Sequence, residues 1–180
     1  ILVAGCGTGQ HSIETASRYR DSHVTAVDLS RSSLAYASRK TDELGIHNIS
    51  YVQADILELQ QLNERFDLIE CSGVLHHLEN PMIGWRVLLN LLKPGGVMKI
   101  GLYSEAARQH IAKIREDIKI LGIGDTERDI KEFRQQLKQS HSPHQKKLLR
   151  SSDFFSLSTL RDLIFHVQEH QFTLLQLKSN

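Results

Sequence analysis

The stretch ILVAGCGTGQHS, residues 1–12, runs from four small or apolar residues directly into a turn with glycine at alternate positions. Glycine permits backbone angles and a close approach of the main chain that a Cβ atom forbids. A strand that leads through such a turn into a helix is typical of a loop that holds a polar or charged ligand at the helix N-terminus. The spacing is G-x-G-x-G over Gly5, Gly7 and Gly9, and Gln10 stands where a dinucleotide-binding fingerprint places its third glycine. A purely structural turn is an equally good interpretation of the loop alone.

Outward from this loop, short β-branched runs alternate with segments of helical periodicity. This rhythm predicts βαβ units, a mostly parallel sheet and helices on both of its faces. KPGG, residues 93–96, is expected to end the last helix of this part. After Tyr103 the pattern predicts charged helices, a final helix from Leu160 to Val167 and one further strand over 172–177. The predicted strands of the sheet cover residues 1–4, 23–29, 48–56, 65–73 and 97–103.

Two acidic residues end the second and the third predicted strands. Asp28 follows Gly9 by 19 residues, where a carboxylate can accept both hydroxyl groups of a ribose. Asp55 can accept a hydrogen bond from the amino group of an adenine. The simpler alternatives are that Asp28 caps the next helix and that Asp55 is a solvated loop residue. Together with the glycine loop, the two acids favour a nucleotide-like ligand at the carboxyl edge of the sheet.

Five segments in the same order resemble class I S-adenosylmethionine-dependent methyltransferases, and the resemblance covers residues 1–104. It implies an α/β fold, a Rossmann-like three-layer α/β/α sandwich with a mostly parallel sheet in the order 3-2-1-4-5. It also implies that residues 1–104 form an S-adenosylmethionine-binding core and that residues 105–180 are a helical extension of the same domain. The segments are VAGCGTG (3–9), VTAVDLS (24–30), VQADILEL (52–59), FDLIECSGVLHHLENP (66–81) and LLKPGGVMKIGLYS (91–104).

The resemblance assigns parts of the cofactor, S-adenosylmethionine, to these segments. It implies that the glycine loop passes beneath the methionine moiety, that Asp28 holds the ribose diol and that Asp55 meets the adenine. The end of the fourth strand would border the methionine end and the reactive methyl group. The complete implied cofactor-binding set is Gly5, Cys6, Gly7, Gly9, Asp28, Leu29, Asp55, Ile56, Cys71 and Ser72.

The chain departs from the family's pattern in two places. The family usually carries an acidic residue two positions before the first glycine, where this chain has Val3, so a carboxylate that helps to organise the loop and the amino-acid end of the cofactor is missing. The family's sheet usually has seven strands, and with the first strand starting at Ile1 we expect a fold truncated at both ends. Segments LYSE (102–105) and FHVQEH (165–170) are similar to the tail of a bacterial group in which this domain is often joined to tetratricopeptide repeats, which implies such repeats in the full-length chain.

Two histidines follow the fourth predicted strand, where the acceptor usually approaches in this family. His76 and His77 are therefore candidates for a general base, because imidazole titrates near neutral pH. The alternative is that they flank a helix and pack against loops. Neither N-P-P-Y nor D-P-P-Y occurs in the chain, which argues against an amide or an exocyclic base nitrogen as acceptor. The resemblance therefore implies methyl transfer to an unidentified small molecule or protein side chain.

Other interpretations stay open beside this one. The chain is alternatively an inactive methyltransferase-like binding module or, with less support, a nicotinamide-dependent oxidoreductase, which would need glycine at Gln10. Residues 166–170, HVQEH, match the H-x-x-E-H pattern of zinc-binding helices, although few residues follow to supply a third ligand. Cys6 and Cys71 could come close if the first and fourth strands are neighbours, and they are either a redox switch or, with more support, two reduced and small apolar residues. The basic stretch 134–150 suits either an anionic partner or a solvated helix face.

The composition of the chain limits its partners. Lys plus Arg is 22 and Asp plus Glu is 21, which gives a net charge of +1 and no argument for nucleic acid as a partner. No apolar run reaches the length of a membrane span. The two cysteines form neither a disulfide framework nor a metal framework, so we expect a reduced, cytoplasmic setting.

Overall fold

The computed structural model describes residues 1–166 and 168–178, and the chain divides into two compact units. The first unit spans Ile1–Leu102 and the second begins at Tyr103. This boundary is the point at which alternating strands and helices give way to helices alone. That the helical residues extend the same domain stays a prediction.

The first unit is built on five strands: β1 (Leu2–Ala4), β2 (Val24–Asp28), β3 (Ile49–Gln53), β4 (Phe66–Ser72) and β5 (Leu92–Gly101). They form one sheet in the order β3-β2-β1-β4-β5, in which every neighbouring pair is parallel. The predicted Rossmann-like fold class and strand order are therefore confirmed. In this order β1 lies between β2 and β4, so the loops after these three strands meet at one edge of the sheet.

Local signals in the sequence define the helices of this unit. The Ser30 hydroxyl accepts a hydrogen bond from Ser33 N and caps the second helix, and Asn80 caps the third helix with Pro81 in its first turn. The helices are α1 (Gln10–Arg18), α2 (Arg31–Glu43) and α3 (Pro81–Asn90), with 3₁₀ turns at Ile56–Gln61 and Leu75–His77.

Separate apolar clusters cover the two faces of the sheet, because alternate residues of a strand point to opposite faces. Leu2 packs with Ile69 and Leu88 in one cluster. Val3, the next residue of β1, packs with Ala16 in the other. Full burial of each large apolar side chain contributes about 1.5–3 kcal/mol, so these clusters hold the strand ends in place.

Strand β5 begins earlier than the sequence predicts. Its Leu92 pairs with Phe66, and the regular register resumes at Leu68 and Val97, so the KPGG segment is an irregular part of the strand. The prediction that KPGG ends the preceding helix is wrong, since α3 ends before this segment. Gly95 has φ +79°, a conformation that lets the chain bulge and continue in the same strand.

The second unit consists of helices around their own apolar core. Ile111, Ile114 and Ile118 face this core from the first of these helices, and Ile130 and Phe133 from the second. In the described residues no helix is long and apolar enough to cross a membrane. The helices are α4 (Glu105–Leu121), α5 (Glu127–Gln139), α6 (Pro143–Leu148), α7 (Leu157–Ile164) and α8 (Leu174–Lys178).

The strand predicted over 172–177 is wrong. Phe172 makes one isolated bridge with Ser104, and Leu174–Lys178 form a helix. The Thr173 hydroxyl accepts a hydrogen bond from Gln176 N, and the Gln176 side chain accepts one from Thr173 N. This reciprocal pair is a capping box, which favours a helix start over extension of the apolar run. The predicted final helix ends at Ile164, and Val167 lies outside the described residues.

Candidate functional site

The glycine loop between β1 and α1 takes backbone angles that favour glycine. Gly5, Gly7 and Gly9 have φ of +77°, +52° and +89°. The N–H groups of Gly5 and Cys6 both donate to Val27 O, at 2.8 and 2.9 Å. These two bonds fasten the loop to the end of β2, so the loop and the β2 end form one rigid corner of the sheet edge.

Gly7 and Gly9 need glycine for different reasons. A Cβ on Gly9 would lie 2.6 Å from the Cβ of Ala37, so this glycine allows α1 and α2 to approach each other. A Cβ on Gly7 would meet no heavy atom within 4 Å. Gly7 therefore borders open space, and a side chain there would project into that space rather than into the protein.

Asp28 connects the glycine loop to the start of α2. Its Oδ2 accepts a hydrogen bond from Gly7 N at 2.8 Å, and its Oδ1 accepts one from Ser30 N at 2.9 Å. Asp28 is thus more than a helix cap, since Ser30 fills that role for α2. Each carboxylate oxygen has two acceptor positions, so this side chain keeps acceptor capacity toward a ligand.

A small cavity of about 160 Å³ opens at the ends of β2 and β3. Asp28 and Asp55 stand at its wall. Asp55 also caps the following 3₁₀ turn by accepting a hydrogen bond from Leu57 N at 2.9 Å. The apolar part of the wall comes from Val27, Leu29, Ala54, Ile56, Val74 and Leu78. An apolar slot with two carboxylates matches a flat heterocycle that carries hydroxyl and amino donors.

A second, polar cavity of about 400 Å³ adjoins the first, and Gly5 lines both. Its wall carries imidazole, carboxylate, amide and hydroxyl groups as well as main chain. The lining residues are Gly5, Cys6, Gly7, Thr8, Gln10, His11, Glu14 and Ser72. Of the predicted site residues, the structure therefore brings Cys6 and Ser72 to the polar cavity, and Leu29 and Ile56 to the apolar one.

Cys71, the remaining member of the predicted set at the end of β4, lines neither cavity. Its side chain packs in the same core cluster as Leu2, on the opposite face of the strand from Ser72. Burial raises the pKa of the Cys71 thiol to about 12. Burial, with the charge of Asp28 added, likewise raises the pKa of Cys6 to about 12. Both thiols are free, and they belong to different core clusters, which does not support a redox pair.

The two candidate bases lie in the 3₁₀ turn after β4. His76 is completely buried and His77 is half-buried, with their rings 4.2 Å apart in an edge-to-face arrangement. Neither histidine lines the two cavities, although their neighbours Val74 and Leu78 do. The packing interpretation therefore accounts for His76, and the base stays unassigned.

In the HVQEH segment, His166 and residues 168–170 are not helical, and Val167 lies outside the described residues, so the structure does not support the alternative of a zinc-binding helix. Glu169 is instead enclosed by arginines: Arg108 donates two hydrogen bonds to its carboxylate, at 2.9 and 2.8 Å. In the described part of the chain, no group of three or more His, Cys, Asp and Glu side chains could hold a metal ion. Most basic residues of the 134–150 stretch are exposed, as expected for a solvated helix face.

Sequence reasoning missed Glu70, a carboxylate on the inner part of β4. Thr15 Oγ1 donates to its Oε2 at 2.6 Å, His11 Nε2 lies 3.0 Å from the same oxygen, and Lys99 Nζ lies 3.4 Å from Oε1. Burial alone would raise the pKa of Glu70, but the hydrogen bonds from Thr15 and His11 and the nearby charges outweigh burial and lower it. A charged residue between Ile69 and Cys71 in a buried strand was the signal that could have revealed it.

Comparison with known proteins places the family match within the first unit. The methyltransferase domain family matches residues 1–96. The uncharacterized Synechococcus protein syc1184_c is 38% identical over 122 residues, which cover 67% of this chain and 29% of that protein. The chain spans well under two thirds of the length of the curated relatives that it matches.

Two solved structures show the same fold. An S-adenosylmethionine-dependent methyltransferase from Clostridium acetobutylicum is 28% identical with a TM-score of 0.52, over 57% of this chain and 42% of that chain. PKMT2 from Rickettsia typhi has a TM-score of 0.76 at 22% identity, over 98% of this chain and 36% of that chain, and shows the fold alone. With the family match over more than half of the chain, the parallel sheet and the glycine loop, this protein belongs to the methyltransferase domain family of the class I, S-adenosylmethionine-dependent type.

Proposed function

We propose that the chain binds S-adenosylmethionine across the two adjoining cavities and transfers its methyl group to a small molecule or a protein side chain. The observation that carries the proposal is the meeting of an apolar and a polar cavity at Gly5, beside a loop whose Gly7 faces open space. A ligand with a flat nucleoside half and a charged amino-acid half fits this division. The match to the methyltransferase domain family supports the same ligand.

In this proposal the apolar cavity takes the adenosine half. Leu29 and Ile56 contact the base from the ends of two neighbouring loops. The carboxylate of Asp28 accepts one hydrogen bond from Gly7 N and one from Ser30 N. Its remaining acceptor positions accept hydrogen bonds from the ribose hydroxyls. Asp55 lies on the same wall, where its carboxylate can accept from the amino group of the adenine.

The polar cavity takes the methionine half. S-Adenosylmethionine, when bound, supplies an electrophilic methyl group on a positively charged sulfur. The glycine loop fixes the ligand because Gly5 and Cys6 are fastened to Val27 O and Gly7 to Asp28. What the chain contributes is mainly proximity and alignment, which can lower a barrier by about 7–11 kcal/mol in the best intramolecular models. Ser72 lies at the wall toward which an acceptor would approach.

The binding proposal is tested by calorimetric titration of the protein with S-adenosylmethionine, S-adenosylhomocysteine and NAD. We expect both adenosyl ligands to bind at one site per chain and NAD not to compete with them. Absence of binding by both adenosyl ligands, or tighter binding of NAD, contradicts the proposal. Binding of NAD would instead support a nicotinamide-dependent oxidoreductase. Gln10, which stands in place of a glycine of the dinucleotide fingerprint, argues against that function.

An inactive binding module is the second candidate function. The observation that favours it is that His76 and His77, the candidate bases, line neither cavity. Transfer of a labelled methyl group to a panel of metabolites and peptides separates the two candidates. Turnover of any acceptor supports the enzyme, whereas tight cofactor binding without turnover across the panel supports the module.

The setting and further partners of the protein are also part of the proposal. Two free, buried thiols in separate clusters suit a reducing compartment, which supports the expected cytoplasmic location. Tetratricopeptide repeats in a longer chain stay a prediction from the likeness of residues 102–180. Nucleic acid is not proposed as a partner, because the net charge is only +1.

A further inference from the structure

Glu70 is a carboxylate in a place that is costly for a charge. Its side chain is only 9% exposed, and it sits in a strand whose neighbours Ile69 and Cys71 belong to the apolar core. A buried charge of this kind is stable only when its oxygens receive hydrogen bonds or an opposite charge. Thr15, His11 and Lys99 supply these contacts. These three partners of Glu70 differ in their exposure and in whether they line the polar cavity.

Thr15 is buried and serves the carboxylate alone, whereas His11 also lines the polar cavity. The side chain of His11 is 36% exposed, so its ring reaches from the buried carboxylate to the ligand space. Lys99 holds the outer oxygen of Glu70 more loosely, at 3.4 Å, and is 60% exposed. His11 is therefore the partner through which Glu70 can influence a bound ligand.

The hydrogen bond to Glu70 fixes the tautomer of the neutral His11 ring. An ionised carboxylate is only an acceptor, so Nε2 of His11 must carry the hydrogen that it shares with Oε2. In the neutral ring Nδ1 is then an acceptor, and among the described residues it has no hydrogen-bond partner. Glu14, on the same cavity wall, adds a negative charge. An acceptor nitrogen next to a carboxylate suits a positively charged ammonium donor.

The strand register places Glu70 beside Val3, the position at which the family resemblance implies a carboxylate. Val3 of β1 is the Cα partner of Glu70 in β4. Both side chains point to the face that α1 covers, since Val3 packs with Ala16 and Glu70 contacts Thr15. The acid absent from the first strand is thus present one strand away, on the same face of the sheet.

We propose that Glu70 positions His11 so that Nδ1 of this histidine accepts a hydrogen bond from the α-ammonium group of the cofactor's methionine end in the polar cavity. His11 is the binding residue, and Glu70 acts through it. The inference rests on the proposed function, because it needs S-adenosylmethionine in the two cavities, and it adds the residues that recognise the amino-acid end.

Three ligands that share the adenosine half provide the test, of which methylthioadenosine is an uncharged thioether and the other two are sulfonium ions. S-Adenosylmethionine carries the ammonium and the carboxylate, decarboxylated S-adenosylmethionine carries the ammonium alone, and methylthioadenosine carries neither. Titration calorimetry is done with the wild-type protein and with His11→Phe, His11→Asn and Glu70→Gln. His47→Phe, at an exposed histidine outside the cavities, is the matched control. Thermal unfolding of each variant shows whether it is folded.

We expect His11→Phe to weaken the binding of both ammonium-bearing ligands by about tenfold to a hundredfold, the range for a hydrogen bond to a charged group. Binding of methylthioadenosine should be unchanged. Glu70→Gln should show the same ligand selectivity with a smaller loss. If Glu70 acts only through His11, Glu70→Gln should cause no further loss in the His11→Phe background. His11→Asn serves as the readout if the phenylalanine variant does not fold.

Each other outcome overturns a defined part of the account. An equal loss for all three ligands shows a structural role for the pair, and unchanged binding of S-adenosylmethionine removes His11 from the site. A loss for S-adenosylmethionine but not for its decarboxylated form assigns His11 to the carboxylate and contradicts the ammonium. If the wild-type protein binds none of the three ligands, the proposed function fails together with this inference. The variants alone can contradict the inference but not the proposed function.

Discussion

Glu70 and Glu169 are both enclosed carboxylates, one in each compact unit, and the protein stabilises them in different ways. The side chain of Glu169 is 1% exposed, and Arg108 holds it with two hydrogen bonds while Arg115 Nη1 lies 3.4 Å from Oε2. Burial alone would raise the pKa of Glu169, but the hydrogen bonds from Arg108 and Gln171 and the arginine charges lower it. Glu70 instead contacts a hydroxyl, an imidazole and a largely exposed lysine.

The difference between the two carboxylates separates a structural contact from a candidate binding contact. The planar guanidinium group of Arg108 matches both oxygens of Glu169 and also stacks 3.5 Å from the ring centre of Tyr103, so this set is complete within the protein. The partner His11 of Glu70 ends at a cavity wall and leaves one ring nitrogen for another molecule. Burial of a charge therefore does not by itself identify a binding site. A binding site is indicated when a partner of the buried charge also faces a cavity.

The largest expected effect is the loss of stability when the arginine set, Arg108 and Arg115 around Glu169, is broken. Arg108→Leu leaves Glu169 with the hydrogen bond from Gln171 and the longer contact to Arg115, and we expect a loss of about 3 kcal/mol in the free energy of unfolding. Urea unfolding at neutral pH measures this loss. Arg128→Leu, at an exposed arginine of α5 that pairs with Glu132, is the control and should unfold like wild type. Equal stability of Arg108→Leu and wild type would show that the arginine set does not stabilise its unit.

The next effect concerns the open space beside the glycine loop. Gly7→Val places a branched side chain in that space, and we expect binding of S-adenosylmethionine to fall by at least a factor of about 100, or ~2.7 kcal/mol. Gly45→Val is a matched control, because Gly45 also has positive φ and no neighbouring atom within 4 Å, but lies outside the cavities. Because both variants carry similar backbone strain, a lower affinity of Gly7→Val than of Gly45→Val in titration calorimetry reports a ligand in the polar cavity. Binding of S-adenosylmethionine by Gly7→Val as tight as by wild type would contradict the assignment of the glycine loop to the cofactor site.

A somewhat smaller effect is expected at the β2 end. Asp28→Ala removes the proposed bonds to the ribose hydroxyls and the contact to Gly7 N, and should weaken cofactor binding by about 2 kcal/mol. Asp42→Ala, at an exposed position of α2, is the control. Titration calorimetry with S-adenosylhomocysteine gives the affinities. An unchanged affinity of Asp28→Ala removes this residue from the site.

The smallest effect is the pH dependence of stability that Glu70 contributes. Because its pKa in the folded protein lies below its ordinary value of 4.5, its contribution is present above that value and is lost as the pH falls through the folded pKa. Glu70→Gln should therefore lose less stability than wild type on acidification below pH 4.5. Urea unfolding between neutral pH and the acid range measures this. An identical pH dependence in both proteins would contradict the lowered pKa.

Much of the fold was predictable because its signals are local. Ser30 and the Asn80-Pro81 pair mark helix starts, and the run of glycines marks the first turn, all within a few residues of the structure they produce. The two wrong predictions also have local causes. The apolar run 172–177 concealed the capping box of Thr173 and Gln176, and Gly95 allowed β5 to continue where a break was expected.

The candidate site was predictable only in part. The glycine loop and Asp28 could be located from the sequence because each directly follows a strand. The contact of Glu70 with His11 spans 59 residues and depends on the pairing of β1 with β4, which periodicity does not reveal. The role of Cys71 beside the methyl group stays a prediction, and its side chain lies on the opposite face of β4 from Ser72, which the sequence alone does not reveal.

The most direct test of the central proposal is a crystal structure of the protein with S-adenosylhomocysteine. We predict that the ligand lies along the glycine loop, with its adenine between Leu29 and Ile56, its ribose on Asp28 and its amino group within hydrogen-bond distance of His11. Electron density for the ligand away from these two cavities, or an empty glycine loop at saturating ligand, would contradict the account.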